Sequence, residues 1–261
     1  MSQKRYYTTQ LQAGLGLLEE TRQLLQVYHP GMSASQLHEA ALASGRFPLV
    51  TARRLRNIVG ECFAPRYMRA PHVAEHLKSL VDRFTTAELN QLLFLYTARA
   101  NLILADFVRE VYWARYSAGW NDLQLEDART FVANSVREGK TQKPWSETTI
   151  KRISSYLMGC CADYGLLTTT GRNQRSIAAY RILPKVAAYL AYDLKFSGLG
   201  DNQIVSSSDW DLFGLERVDV RDQLKRLSLQ GLLIFQAASD IVHIGWTYKS
   251  MEELIDVVAQ S

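Results

Sequence analysis

Residues 146–182 read SETTIKRISSYLMGCCADYGLLTTTGRNQRSIAAYRI. Ser146 is a natural N-cap, because its side-chain oxygen can accept an orphan N–H of the first helical turn. Ile150, Ile153, Leu157, Cys160, Cys161 and Tyr164 recur at helical spacing and predict the inner face of a helix over 147–164. Lys151, Arg152 and Ser155 fall on the outer face. Gly165 suits the left-handed residue that ends such a helix. Leu166–Thr170 and Ser176–Ile182 are β-like runs, and between them lies the basic turn Gly171–Arg175, with Arg172 and Arg175. Pro184 then opens a further helix at its first position, reaching Leu194. Helix, tight turn, strand, basic loop, strand is the order of a winged helix. In that arrangement a helix fits the major groove of DNA, and a β-ribbon beside it sets cations on the backbone or in the minor groove.

Downstream the order recurs. Ser197–Gly200 reads as a linker, and Trp210–Phe213 as a short helix. Val220–Leu229 reads as a helix ended by Gly231. Leu232–Ala237 and Ile241–Trp246 read as strands around Ser239 and Asp240, and Met251–Val258 closes the chain as a helix. There is no fixed-period repeat, so the duplication is one of architecture.

Upstream the chain reads as helices. Leu11–Tyr28 carries leucines at helical spacing and predicts one amphipathic helix. SASQ at 33–36 and TTAE at 85–88 are capping boxes. The first opens a short helix to Ala43. The second opens a strongly apolar region, Leu89–Tyr116, expected to break near Arg99. A helix over Val50–Phe63 would bury Ala52, Leu55, Ile58, Val59 and Cys62. It would expose Arg53, Arg56 and Asn57, with Arg54 beside them. Val73–Val81 and Leu125–Val136 predict two more helices. The fold class is therefore mainly α: a helical core with winged-helix and helix-turn-helix-like modules and two short β-wings. The expected division is an N-terminal helical module over 1–70, a central helical core over 71–139, a winged-helix-like module over 140–197 and an acidic extension over 198–261.

Charge is unevenly spread along these segments. Residues 1–75 carry a net +4, 76–139 a net −1, 140–196 a net +6 and 197–261 a net −5. Basic segments favour phosphate partners and an acidic tail disfavours them. The best candidate for a membrane span, Gln91–Phe107, contains Arg99 and Asp106, and the first ten residues lack an apolar signal segment. Cys62, Cys160 and Cys161 form no disulfide framework and fit a reducing compartment. A cytoplasmic protein is expected.

Few motifs carry chemistry. HVAEH at 72–76 matches the pattern of inverted zinc proteases, with His72 and His76 on one helix face and Glu75 as a general base. No downstream segment supplies a third ligand, and a frayed, solvated helix start after Pro71 is the preferred reading of His72. Adjacent Cys160 and Cys161 point about 100° apart on a helix and cannot chelate as C-x-x-C does. GLG at 14–16 and at 198–200 follows no strand and lacks the third glycine of a dinucleotide loop. Tyr112, Trp113, Tyr116 and Trp120 fit a core helix better than a base-stacking platform. No catalytic, metal or cofactor site is expected. Arg53, Arg54 and Arg56 have no acidic residue between Arg46 and Gly60 to offset them. They, with Asn57, Lys151, Arg152, Ser155, Arg172 and Arg175, are the candidate DNA contacts.

Several stretches resemble the BrxA family, the small helical component of bacterial BREX phage-defence systems. They are LQAGLGLL (11–18) followed by Glu19, TARRLR (51–56), LADFVREV (104–111), and WSETTIKR (145–152) running into YGLL (164–167). The resemblance covers about Leu11–Leu194. The resemblance implies a non-enzymatic, double-stranded-DNA-binding protein with an all-helical core and winged-helix-like ends, working beside other BREX proteins. Members of the family commonly end near the position of Gly198, so the acidic extension departs from the pattern. A scaffold or adaptor in a defence complex, an RNA-binding helical protein and a metalloenzyme around His72, Glu75 and His76 are the competing readings.

Overall fold

The structure is a computed structural model that describes residues 5–170 and 174–260. It is mainly helical, with two small two-stranded antiparallel sheets among the described residues. The chain divides into two compact units, one formed by 1–75 with 93–180 and the other by 76–92 with 181–261.

The first unit begins with a 3₁₀ turn, Gln10–Ala13, and then α1 (Leu18–Val27). The single helix expected over Leu11–Tyr28 is thus interrupted. Leu17 adopts a left-handed conformation with φ +49°, and the Gly16 N–H donates 2.9 Å to the Asp163 carboxylate. A Cβ at Gly16 would lie 2.7 Å from that of Asp163, so the glycine admits a close approach, not a phosphate. The guanidinium of buried Arg66 donates to the carbonyls of Gly14 (2.9 Å), Leu15 (3.0 Å) and Gly16 (3.4 Å). An irregular segment inside the protein needs such partners for its backbone.

The Ser33 capping box opens α2 (Ala34–Ala43), as expected. Thr51 accepts the Arg54 N–H and opens α3 (Ala52–Asn57), which continues in wide π-type turns over Ile58–Met68, through Pro65. The expected stop before Pro65 does not occur: the helix runs on through it in these wider turns. Helix α4 spans Pro71–Leu80, and from His76 to Leu92 the chain belongs to the second unit. In the second capping box Thr85 N–H donates 2.8 Å to Glu88 and opens α5 (Thr86–Ala100). The expected break falls at Asn101, where the axis turns by 112° into a continuous helical stretch: α6 (Leu102–Phe107), π-type turns to Tyr112, and α7 (Trp113–Ser117). Among the described residues no single helix is long and apolar enough to cross a membrane. Then follow α8 (Leu125–Arg137), α9 (Glu147–Asp163), β1 (Leu167–Thr170) and β2 (Gln174–Ile177). Strand β2 lies earlier and is shorter than the expected Ser176–Ile182. The core gathers Phe63, Tyr67, Phe94, Phe107 and Tyr112 with Ile153, Leu157 and Cys160 of α9.

In the second unit Pro184 is the first residue of α10 (Pro184–Phe196). The expected linker leads directly into a short helix the sequence did not announce, α11 (Asp201–Val205). A 3₁₀ turn at Trp210–Phe213, α12 (Arg217–Leu229), β3 (Leu233–Ala238), β4 (Ile241–Trp246) and α13 (Met251–Val258) complete it. Tyr189, Tyr192, Trp210 and Phe213 are its largest buried side chains. His76, expected as a metal ligand in one reading, is buried here with Nε2 3.2 Å from Glu252 and its ring against Tyr189. Among the described residues no group of three metal-ligating side chains exists.

Candidate nucleic-acid interface

The interface candidates all belong to the first unit. On α3, Thr51 fixes the helix start and Leu55, Ile58 and Val59 anchor the inner side, leaving Arg53, Arg54, Arg56 and Asn57 exposed. Burial pushes the Cys62 thiol up, against the opposing charges of Arg66 and then Arg54.

On α9, the Ser146 side chain accepts the Thr149 N–H and fixes the helix start. Ile153, Leu157, Cys160 and Cys161 are buried, so Lys151, Arg152 and Ser155 emerge on the exposed face. Lys151 pairs with Glu147 at 3.1 Å, one turn earlier. Both side chains are mostly exposed, so that pair is weak and its lysine can be recruited by a phosphate. The Ser155 hydroxyl donates 3.1 Å to the Lys151 carbonyl. Burial raises the Cys160 thiol to about 12 and the Cys161 thiol still higher, so both are packing residues.

Helix α9 ends as the sequence implies. Gly165 has φ +81°, and the Leu166 N–H returns to the Cys161 carbonyl at 2.8 Å. The turn feeds the β1–β2 hairpin, in register from Leu167 opposite Ile177 to Thr170 opposite Gln174. Arg172 of the expected basic turn lies outside the described residues. Arg175 stands in β2, half-buried, and its guanidinium donates to the Met158 carbonyl. It therefore ties the ribbon to α9. Asn121–Leu123 runs along β2: Ile177 N–H donates to the Asn121 carbonyl at 3.0 Å and Leu123 N–H to the Arg175 carbonyl at 3.2 Å. The sequence gives no alternation there to announce a strand.

Ser155 and Arg175 meet in a cleft of about 510 Å³ lined also by Asp122, Gln124 and Met158 among others. The structure thus brings Ser155 and Arg175 together beside Lys151 and Arg152 on one helix. The α3 arginines form a separate patch on their own helix. Sequence reading also passed over Lys143 and Trp145, which line a second cleft of about 410 Å³ with Tyr6, Thr8, Thr9 and Gln142. A basic residue and a tryptophan flanking Pro144 just before an N-cap were the available signal.

A solved structure of an uncharacterized protein from Magnetospirillum magneticum is similar to this chain. The TM-score is 0.55 at 17% sequence identity, over 73% of this chain and 94% of that one. That likeness concerns the fold alone. No curated protein matches the chain. The family comparison matches residues 5–193, nearly the span over which the sequence carries its resemblance, and the chain belongs to the BrxA family.

Proposed function

We propose that this protein is a non-enzymatic, cytoplasmic component of BREX phage defence that binds double-stranded DNA with little sequence preference. BrxA membership points to the defence system. The observation that carries the DNA reading is the exposed Arg53–Arg54–Arg56 run on α3, in a stretch with no acidic residue from Val50 to Gly60. Such cations neutralise phosphates and release condensed counterions.

The order of elements in the first unit supports a winged-helix reading. A helical stretch (Leu102–Ser117) leads to the extended segment Asn121–Leu123, then α8, α9, β1 and β2, with α9 in the place of the recognition helix. Lys151, Arg152 and Ser155 would face the duplex, and Arg175 belongs to the ribbon beside it. Few of these side chains suit base readout, so contacts are mainly to the backbone. Replacing Arg53, Arg54 and Arg56 together by Glu is expected to weaken duplex binding by at least tenfold without lowering the melting temperature. Unchanged affinity removes α3 from the interface.

A second role is favoured for the acidic second unit. Val218, Leu229, Ile234 and Ile241 are 69%, 89%, 59% and 72% exposed, which suits contact with another protein better than with DNA. Binding to other BREX proteins that survives nuclease treatment, and is lost on replacing Ile234 and Ile241 by Ser, supports this adaptor role. Loss of the complex with nuclease alone opposes it.

A further inference from the structure

The second cleft stands at the entry to α9. Residues 6–9 form one wall and Gln142, Lys143 and Trp145 the other. Backbone pairing holds the walls together: Tyr7 N–H donates 2.8 Å to the Lys140 carbonyl, and Tyr7 bridges Thr141 in parallel. The Tyr7 side chain turns inward and locks this arrangement. Its hydroxyl donates 2.6 Å to Asp106, its ring packs on Phe131, and the Lys140 ammonium lies 5.9 Å from the ring centre. The cleft is therefore a preformed feature of the first unit.

Its lining is chemically selective. Tyr6 and Trp145 are half-buried rings that line it. Among the described residues, the side chains of Thr8, Thr9, Gln142, Lys143 and Trp145 make no hydrogen bond or ion pair with the protein. No described lining residue is aliphatic, and none is a carboxylate. An apolar peptide anchor wants aliphatic walls, and an isolated phosphate wants several cations. Two aromatic faces, one ammonium, one amide that both donates and accepts, and two hydroxyls match a nucleotide: a π-face, a polar base edge and one phosphate.

We propose that this cleft holds an unpaired nucleotide of DNA. The base stacks on the Tyr6 or Trp145 ring, its edge bonds to Gln142, and its phosphate lies on Lys143 and the threonine hydroxyls. The proposal rests on the DNA-binding reading and adds a preference for duplexes with a frayed, overhanging or displaced strand. It also explains why a basic, aromatic connection precedes α9 by sequence: it places the single strand beside the helix that faces the duplex.

Fluorescence polarisation with the full chain tests it, using a blunt duplex, the same duplex with an oligothymidine overhang, and free oligothymidine. The overhang duplex is expected to bind roughly tenfold tighter than the blunt one. Trp145→Ala should erase that gain and leave blunt-duplex affinity alone, while Trp145→Phe keeps most of it. Lys143→Ala should lower the salt slope on the overhang duplex by about one. Equal binding of blunt and overhang duplexes overturns the proposal, as does a Trp145→Ala loss equal on both. If no DNA binds at all, the functional reading fails, and the cleft is then tested alone with dTMP. Quenching of wild-type fluorescence that is absent in Trp145→Phe supports nucleotide binding, and no quenching ends it. Oligouridine that displaces the overhang duplex better than oligothymidine does overturns the assignment to DNA.

Discussion

The Tyr112 hydroxyl lies 2.9 Å from the Ala178 carbonyl oxygen, and 3.0 Å from that of Leu166, the residues flanking the β1–β2 hairpin. One O–H is thus shared between both sides of the ribbon's base, where Ala178 N–H also donates 2.9 Å to Leu166. In the second unit Tyr192 has the same task with more bonds. Its hydroxyl donates 2.6 Å to the Leu232 carbonyl and accepts the N–H groups of Thr247 and Tyr248. Each helix before its hairpin ends on a positive-φ glycine, Gly165 or Gly231. Each unit has converged on one solution: a tyrosine from an earlier helix pins the ribbon's two ends.

That comparison predicts an order of effects. Tyr112→Phe removes one shared donor and should cost about 1 kcal/mol, whereas Tyr192→Phe leaves a carbonyl and two N–H groups short and should cost about 2–3 kcal/mol. Urea unfolding of the two variants measures this. A larger loss for Tyr112→Phe would contradict the bonding described.

Arg66 offers a sharper case. Arg66→Met strands the carbonyls of Gly14 and Leu15, while Gly16 keeps the Tyr164 hydroxyl, and should cost about 2–4 kcal/mol. Arg66→Lys should recover only part, since one ammonium cannot reproduce the fork of a guanidinium. Full stability in Arg66→Lys would show that charge, not geometry, matters there.

The thiols supply a pH test. Cys160 is raised to about 12 by burial, and Cys161 further, so both stay neutral in the fold. An unfolded cysteine ionises near 8.5, so the stability held in these thiols is whole below about pH 8.5 and is lost as pH rises toward about 12. Ellman's reagent at pH 8 should leave all three native thiols unmodified and react with all three in denaturant. Rapid reaction of native Cys160 or Cys161 would mean that α9 does not bury its inner face.

Much of this was legible in the sequence because it is local. Ser33, Thr85 and Ser146 cap their helices from within four residues, Gly165 ends α9, and Lys151, Arg152 and Ser155 lie outside because the α9 stripe lies inside. What escaped depends on partners far along the chain. The break before α1 is imposed by Arg66, about fifty residues away, and by Asp163. The extended segment Asn121–Leu123 borrows its order from β2. Arg175 reads as one more wing cation, yet its guanidinium is spent on Met158. The cleft at Trp145 joins residues more than 130 positions apart, a juxtaposition no spacing rule reveals.

The most direct test of the central claim is polarisation binding to a random blunt duplex of about 30 base pairs between about 50 and 200 mM salt. If Arg53, Arg54, Arg56, Lys151 and Arg152 each engage one phosphate, log affinity should fall with log salt at a slope near −4.5, roughly 500-fold over that range. Two unrelated sequences should give the same curve. Absence of binding at the lowest salt, or affinity indifferent to salt, would contradict phosphate recognition by these helices.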